Sequence, residues 1–313
     1  MDNEQTSRRG VLTYRIRDLV PYINWIYFFH AWGFAPRYAA AAYVHACPSC
    51  RHTWIADRPE ADRPKAREAM QVFEEADRVL SRLDILGITA AVVYRLCRAN
   101  ADGDDLLLDG HRLPLLRQQV PHADGSPYLC LSDFVRPLSS GVVDTVGLFA
   151  ASVPRYDEAK ALFADDPFRS LTVQLLLERL AEAATERMHL DVRRHIWGYA
   201  PDEDLDIGDL LVEKFQGIRP AVGYPSIPDL SINFLLDEML DMHQVGITLT
   251  ENGMMHPDAS TSGLMLAHPA ATYFAVGPIG EDQLADYARR RGLPVDRIRQ
   301  FLAQSSPQAP ATT

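Results

Sequence analysis

A short run interrupted by glycine and proline does more than any other feature to constrain how this chain folds. Four residues that disrupt regular structure stand within residues 213–225: Gly217, Pro220, Gly223 and Pro225. Proline lacks the backbone N–H that helices and central strands require, and glycine weakens both. We therefore expect an irregular loop here, and loops of this kind often carry functional side chains. The alternative interpretation is a surface turn whose charges are simply solvated.

The composition argues against several classes of protein. Of the 313 residues, 47% are hydrophobic and 23% are charged, which is typical of a globular protein. The net charge of −11 argues against nucleic acid as the main partner, because phosphate binding requires a basic surface. No apolar run approaches the roughly 20 residues of a membrane span. The acidic residues 1–5 lack the apolar core of a secretion signal, so we expect a cytoplasmic protein that does not associate with membranes.

The hydrophobic pattern mixes helices and strands without strict alternation. Helical periodicity appears at residues 64–83, 170–197 and 230–245, and one or two closing helices are expected at 281–304. Apolar runs predict strands at residues 88–96, 141–152, 247–250 and 273–279. This mixture favours an α+β fold over a doubly wound sheet.

Turn and cap residues locate some of the element boundaries. Asp62 is a candidate N-cap of the first of these helices, and Gly87 is expected to end it. The Asp109-Gly110 pair predicts a hairpin over residues 106–113, because these residues supply the positive φ angles of a type I′ turn. Pro114 then places its strand at an edge of the sheet.

The chain shows neither an internal repeat nor a long linker. We therefore expect a single domain over residues 1–304. Residues 305–313 are rich in Ser, Pro, Ala and Thr, a composition that predicts a disordered tail.

One face of the longest predicted helix carries three charged residues. Arg179, Glu182 and Glu186 are spaced i, i+3 and i+7, which places them on the same side of a helix. Taken alone, such a stripe is typical of a solvated surface with a weak ion pair.

These segments resemble a known family. The loop at 219–228 and the helix segments at 178–183 and 197–200 are similar to the activation (reactivation) domain of cobalamin-dependent methionine synthase, which binds S-adenosylmethionine. The resemblance continues in order along nearly the whole chain, at residues 19–29, 103–105, 116–119, 130–134, 249–251, 259–263, 268–269, 273–276 and 282–288. It implies a mixed, largely antiparallel twisted sheet with flanking helices.

The resemblance also implies a set of residues around the ligand. The guanidinium of Arg219 would bind the carboxylate of S-adenosylmethionine, because this group forms bidentate contacts with carboxylates. Carboxylates would face the positive groups of the ligand, and Tyr224 would lie toward the reaction partner as a candidate catalytic residue. The implied ligand-binding residues are Asn24, Arg179, Glu182, Glu213, Arg219, Ala221, Tyr224 and Tyr273. No metal is required at this site.

The sequence departs from the family pattern at three places. Asn24 stands where the family has an aspartate that contacts the ligand. The residues after Pro225 and those at 253–258 also differ, and in the family these positions face cobalamin. His256 lies in the second of these segments and is a candidate general base, since histidine titrates near neutral pH; a structural or solvated histidine is the alternative.

Three functions fit this pattern. The first is donation of a methyl group from S-adenosylmethionine to cobalamin. We expect this chain to lack the cobalamin-binding Asp-x-His-x-x-Gly signature, so the corrinoid would be carried by a partner protein. The second is a cobalamin-independent enzyme that transfers a methyl or aminocarboxypropyl group, or cleaves a C–S bond within the ligand. The third is a binding protein without catalysis, whose interactions depend on the ligand.

Residues 45–52 carry a separate constellation of two cysteines and two histidines. Cys47 and Cys50 form a Cys-x-x-Cys pair, flanked by His45 and His52. Zinc usually requires four well-placed ligands, and a second cysteine pair is missing. We expect a local loop with free thiols, with a zinc site and a redox dithiol as alternatives. The chain has four cysteines, too few for a disulfide framework.

Overall fold

The computed structural model describes residues 8–121 and 125–303. Its strands are β1 (Arg9–Arg15), β2 (Thr89–Asp102), β3 (Asp105–Leu108), β4 (His111–Pro114), β5 (Asp144–Ser152), β6 (Thr248–Leu249), β7 (Met255–His256) and β8 (Ser260–Met265). Its α-helices are α1 (Ile16–Leu19), α2 (Trp25–Ala31), α3 (Pro48–Ala56), α4 (Arg63–Ile85), α5 (Tyr156–Ala161), α6 (Pro167–Asp191), α7 (Ile207–Leu211), α8 (Ile232–Leu240), α9 (Glu281–Arg291) and α10 (Val295–Ala303).

The long strand β2 organises the main sheet. Its partner on one edge is β5, and its other edge is shared by β1 and β3, all antiparallel. The sheet runs in the order β4-β3-β2-β5-β8, with β1 off this path. Alternate side chains of a strand point to opposite sides of the sheet. Most side chains of β2 are buried, so both of its faces are covered. Val92 packs with α4 and α6 on one face, whereas Val93 packs with α8 on the other.

This architecture confirms the predicted α+β fold with a largely antiparallel sheet and flanking helices. The hairpin is also confirmed: β3 pairs with β4 through Asp109 and Gly110, whose φ angles are +49° and +94°. Pro114 lies in the edge strand β4, where a missing N–H is tolerated. Helix α4 covers the predicted 64–83 and ends before Gly87, whose φ is +69°.

Several local predictions were wrong in detail. Asp62 makes no cap hydrogen bond to α4, because its carboxylate accepts hydrogen bonds from Arg37 and Tyr38 instead. The predicted helix at 230–245 is broken at Asp241, which has a φ of +58°. Of the run at 247–250, only the two residues of β6 are in a strand, and they pair with β7 in a separate two-stranded sheet.

The run at 273–279 is not a strand. Its backbone groups bond to the irregular loop and its surroundings instead of a sheet: the N–H of Val276 donates to the carbonyl of Pro225 at 2.9 Å. The side chain of Gln118 donates to the carbonyl of Ala275 at 2.9 Å. The segment therefore contributes to holding the loop in place.

The predicted tail at 305–313 lies outside the described residues. The single domain over 1–304 remains a prediction. Within residues 8–121 and 125–303, we find no helix whose length and apolar character would allow it to cross a membrane.

Candidate functional site

The loop at 213–228 lies against the edge of the sheet. The N–H of Ile218 donates to the carbonyl of Leu266 at 2.9 Å, and that of Val222 donates to the carbonyl of Ser262 at 2.9 Å. Pro220, which has no N–H to give, interrupts this pairing but still offers its carbonyl. The loop thus continues the sheet beyond β8 without being a regular strand, as its breakers predicted.

Two glycines make this close approach sterically feasible. A Cβ on Gly263 of β8 would lie 2.2 Å from the carbonyl oxygen of Pro220. A Cβ on Gly217 would lie 2.4 Å from the carbonyl oxygen of Leu266, and Gly217 also has a φ of +85°. Both contacts are with backbone, which cannot move aside as a flexible side chain can, so the position of the loop depends on glycine here.

The side chain of Arg219 lies in a nearly buried cluster on α6. Its Nη2 donates to Oε2 of Glu186 at 2.8 Å, and its Nη1 bonds to Nδ1 of His189 at 3.0 Å. The two charged side chains are 14% and 12% exposed. The backbone N–H of Arg219 donates to the hydroxyl of Tyr273 at 2.9 Å. The Arg219 cluster (Arg219, Glu186, His189 and Tyr273) therefore joins the loop, the long helix and the 273–279 segment.

The hydrogen bonds fix the tautomer and charge of His189. Arginine only donates, so Nδ1 of His189 accepts the hydrogen bond from Arg219. The proton of the neutral ring is therefore on Nε2, which lies 3.2 Å from the hydroxyl of Tyr199. That hydroxyl donates to the carbonyl of Gln216 at 3.4 Å. Complete burial, together with the charges of Arg219 and Arg193, lowers the pKa of His189 well below its ordinary value. The ring is therefore neutral and adds no charge to the cluster.

A buried ion pair packs against the Arg219 cluster through an aromatic ring. Arg193 is fully buried and binds Glu203 through two hydrogen bonds, of 2.8 and 2.7 Å. Its guanidinium lies 4.0 Å from the ring centroid of Phe215. Phe215 in turn meets the His189 ring edge to face at 5.1 Å. The bidentate geometry and the two ring contacts hold the imidazole of His189 in place next to Arg219.

A second charged group lies on α6 before Glu186, with Glu182 one turn and Arg179 two turns earlier in the helix. Nη1 of Arg179 donates to Oε2 of Glu182 at 2.7 Å, and the guanidinium lies 5.9 Å from the ring centroid of Tyr27. Burial, and then the charge of Glu182, raise the pKa values of both Tyr27 and Tyr224. Tyr224 remains 47% exposed. The Arg179 group (Arg179, Glu182, Tyr27 and Tyr224) thus forms a half-open aromatic and charged wall.

Glu213 carries a third carboxylate toward this region. It follows α7 in the left-handed conformation, with a φ of +59°, which is common where a helix ends. Burial raises the pKa of Glu213, the charge of Arg219 opposes this, and the charge of Glu186 adds to it. Burial likewise raises the pKa of Glu182, against the effect of Arg179. Both carboxyl groups therefore lie where a further positive charge would stabilise their ionised forms.

Asn24 and Ala221 are positioned by backbone contacts. Oδ1 of Asn24 accepts from the N–H of Ile26 at 3.2 Å, so Asn24 is the N-cap of α2, the helix that carries Tyr27. Ala221 pairs with Gly263 in an isolated bridge to β8. Contact of either residue with a ligand stays a prediction.

The structure does not join His256 to these groups. Its Nε2 lies 3.2 Å from Oδ2 of Asp157 on α5, and its side chain is 56% exposed. None of its hydrogen bonds or ion pairs within the described part of the chain reaches the Arg219 cluster or the Arg179 group. A catalytic role for His256 stays a prediction without support from its contacts.

Sequence reasoning identified only part of this site. It placed Glu186 on the helix face with Arg179 and Glu182, but it did not connect Glu186 to Arg219, and it did not name His189 or Tyr199. The signal for His189 was its position three residues after Glu186, which places both on one helix face. Tyr199 stood within the 197–200 motif.

The comparisons with known proteins agree with this fold. The family model for the vitamin B12-dependent methionine synthase activation domain matches residues 15–292. Among solved structures, the chain is similar to the MetH reactivation domain bound to AdoHcy, with 33% sequence identity and a TM-score of 0.82. The match covers 96% of this chain and 91% of that one.

The buried neutral His189 leads to a prediction about stability and pH. Its folded pKa is lowered, whereas an unfolded histidine titrates near about 6.5, so the unfolded chain binds one more proton as the pH falls below that value. The stability that depends on neutral His189 is fully present above about pH 6.5. Between pH 7.5 and 5.5 the wild type should lose about 1.4 kcal/mol more free energy of unfolding than His189→Gln.

Urea unfolding at several pH values measures this difference. Glutamine can accept from Arg219 and donate to Tyr199, so the variant keeps the neutral hydrogen bonds without a titrating group. The exposed His30, changed in the same way, is the matched control and should leave the pH dependence of the wild type unaltered. Parallel pH curves for the wild type and His189→Gln would show that His189 is not buried in its neutral form.

Proposed function

The chain belongs to the family of vitamin B12-dependent methionine synthase activation domains, and from this premise we propose that it binds S-adenosylmethionine and donates its methyl group to cobalamin on a partner protein. The observation that carries the proposal is the ion pair of Arg219 with Glu186. Glu186 and His189 use two of the five N–H groups of this guanidinium. The others can bind the carboxylate of the ligand.

The remaining groups suit the positive part of the ligand. S-adenosylmethionine carries an ammonium and a sulfonium, and the carboxylates of Glu182 and Glu213 supply the opposite charge. Tyr27, Tyr224 and Tyr273 are each partly exposed and offer ring faces, which attract cations. AdoHcy is bound in the similar reactivation-domain structure, and this ligand is S-adenosylmethionine without its methyl group.

Methyl transfer makes modest demands on this chain. The methyl carbon passes to a reduced, nucleophilic cobalt, while the sulfur keeps the electrons of the broken C–S bond and becomes a neutral thioether. No proton moves in this step, so the residues need only position the ligand and expose its methyl group. Tyr224, at the exposed wall of the site, would contact the incoming partner.

The expectation that the chain lacks the cobalamin-binding Asp-x-His-x-x-Gly signature was wrong as a statement about the sequence, because one segment has this spacing. It is Asp241-Met-His-Gln-Val-Gly246. In the structure these residues form a tight turn between α8 and β6, with positive φ angles at both ends. The turn requires an aspartate-like and a glycine residue at those two positions for conformational reasons, so we base no corrinoid site on it.

A cobalamin-independent enzyme is the second candidate function. Two segments depart from the family pattern, after Pro225 and at 253–258, and they meet in the structure. A Cβ on Gly253 would lie 2.5 Å from the carbonyl oxygen of Leu230, and the amide of Asn233 donates to the carbonyl of Gly253 at 2.8 Å. The two altered segments therefore contact each other at Leu230 and Gly253, and under this second function a small acceptor would bind beside them in place of cobalamin.

Product analysis with S-adenosylmethionine, with and without reduced cobalamin, separates these functions. We expect methylcobalamin and S-adenosylhomocysteine in equal amounts, formed only when cobalt is reduced, with a methionine synthase corrinoid fragment as the acceptor. Turnover of S-adenosylmethionine without cobalamin would favour the second function. Tight binding without turnover under either condition would favour a non-catalytic binding protein. Both outcomes contradict the proposal.

The ion pair predicts how binding responds to Arg219→Ala. Loss of a charge-assisted contact should weaken binding of S-adenosylhomocysteine by about 30-fold or more in calorimetry. The change also leaves Glu186 unpaired and should lower stability. Adding Glu186→Gln should recover part of the stability without recovering the affinity. Exposed Arg289→Ala is the control, and equal affinity in the wild type and Arg219→Ala would refute the assignment.

Asn24 provides a test of the ligand pose. An aspartate keeps the cap of α2 and adds a charge, so Asn24→Asp should bind S-adenosylmethionine about fivefold more tightly. S-adenosylhomocysteine, which lacks the sulfonium, should gain less. Asn24→Ser keeps the cap without the charge and serves as the control. Unchanged affinity for both ligands would show that Asn24 only caps the helix, and weaker binding would indicate a different pose.

A further inference from the structure

A cluster of sulfur and imidazole groups lies at the start of α3. The ligand atoms of His45, Cys47 and Cys50 lie within 4.8 Å of one another. Cys47 is the N-cap of this nine-residue helix, and its Sγ accepts from the N–H of Cys50 at 3.2 Å. Cys50 is exposed, and both sulfurs are free thiols.

The two thiols have unequal surroundings. The hydroxyl of Ser49 lies 3.3 Å from Sγ of Cys47, and the amino end of α3 adds a favourable field for negative charge. Hydrogen bonds from the Cys50 thiol, then from Ser49 and His45, lower the pKa of Cys47 to about 6. The contact with Cys47 raises the pKa of Cys50. These contacts therefore favour the thiolate at Cys47 over the thiolate at Cys50.

We propose that Cys47 and Cys50 form a reversible dithiol–disulfide pair that exchanges with small disulfides. The Cys47 thiolate attacks one sulfur of the external disulfide, forms a mixed disulfide and releases one thiolate. Cys50 loses its proton to solvent, attacks the sulfur of Cys47 and releases the second thiolate. The two protein thiols are oxidised and the external disulfide is reduced to two thiols, so atoms and electrons balance.

The positions of the two cysteines suit this exchange. The sulfurs already lie within 4.8 Å of each other at the first turn of α3, and an S–S bond is about 2.05 Å long. Nη1 of Arg51 forms an ion pair with Glu74 of α4 at 2.6 Å, which holds that turn on the body of the protein. The half-buried Cys47 and the exposed Cys50 can thus react while the helix stays in place.

The contacts of His45 favour a dithiol over a metal site. Its Nδ1 accepts from the N–H of Cys47 at 3.3 Å. A metal on Nδ1 would displace this bond. A metal on Nε2 would leave the proton of the neutral ring on Nδ1, which could then no longer accept. A bound zinc therefore requires a rearrangement of His45, whereas a disulfide does not.

Glutathione disulfide is the probe for the experiment. The reduced 313-residue chain is incubated with it at pH 7 and analysed by intact mass and peptide mapping. We expect a Cys47–Cys50 disulfide that a thiol reductant reverses. In Cys50→Ser, glutathione should stay attached to Cys47, because the resolving thiol is gone. In Cys47→Ser, serine preserves the helix cap, and only Cys50 of the pair can react. Attachment of glutathione to Cys50 should then be slower by about tenfold or more than the reaction of Cys47 in Cys50→Ser.

Cys97 and Cys130 are the internal controls, since both are fully buried and should stay reduced. Three results would overturn the proposal. The first is Cys50→Ser without trapped glutathione on Cys47. The second is one tightly held zinc per chain that protects both cysteines. The third is alkylation of Cys47 that rises only near about pH 8.5, as for an ordinary thiol.

Discussion

The ion pair between Arg219 and Glu186 determines where the elements of the site meet. It attaches the irregular loop to α6, and the backbone N–H of Arg219 binds Tyr273 from the C-terminal segment. Both charges are nearly buried, so removal of one leaves the other without compensation, at a cost of about 3–5 kcal/mol. His189 extends the pair without adding charge, because its burial keeps the ring neutral.

That pair depends in turn on the sheet. The loop reaches α6 only because its backbone lies directly on β8, which Gly263 and Gly217 make sterically feasible. Strand β8 is positioned by β5, and β5 by the long central strand β2. The charged cluster is therefore a consequence of the order of strands, and a change in the packing of β8 would displace Arg219 without touching any charged residue.

The sequence predicted the elements whose signals are local. Helix α4 and the Asp109-Gly110 turn follow from residues within one segment. Strand β8 (Ser260–Met265) was missed because serine, threonine and glycine give a weak pattern, and its strand conformation comes from pairing with β5, far away in sequence. The site divides similarly: family motifs indicated Arg179, Glu182 and Arg219, whereas the contact of Arg219 with Glu186 arises only from tertiary packing.

The charges of the site, taken together, bear on the proposed ligand. Arg179 and Arg219 contribute two positive charges, and Glu182, Glu186 and Glu213 contribute three negative ones when ionised. These five side chains then carry a net charge of −1, which complements S-adenosylmethionine, with its two cations and one carboxylate, better than S-adenosylhomocysteine, which is neutral overall. Burial raises the pKa values of Glu182 and Glu213, and a bound sulfonium would oppose that shift. In the proposed transfer, loss of the methyl group would remove this charge, and the same carboxylates would then hold the product less tightly than the donor.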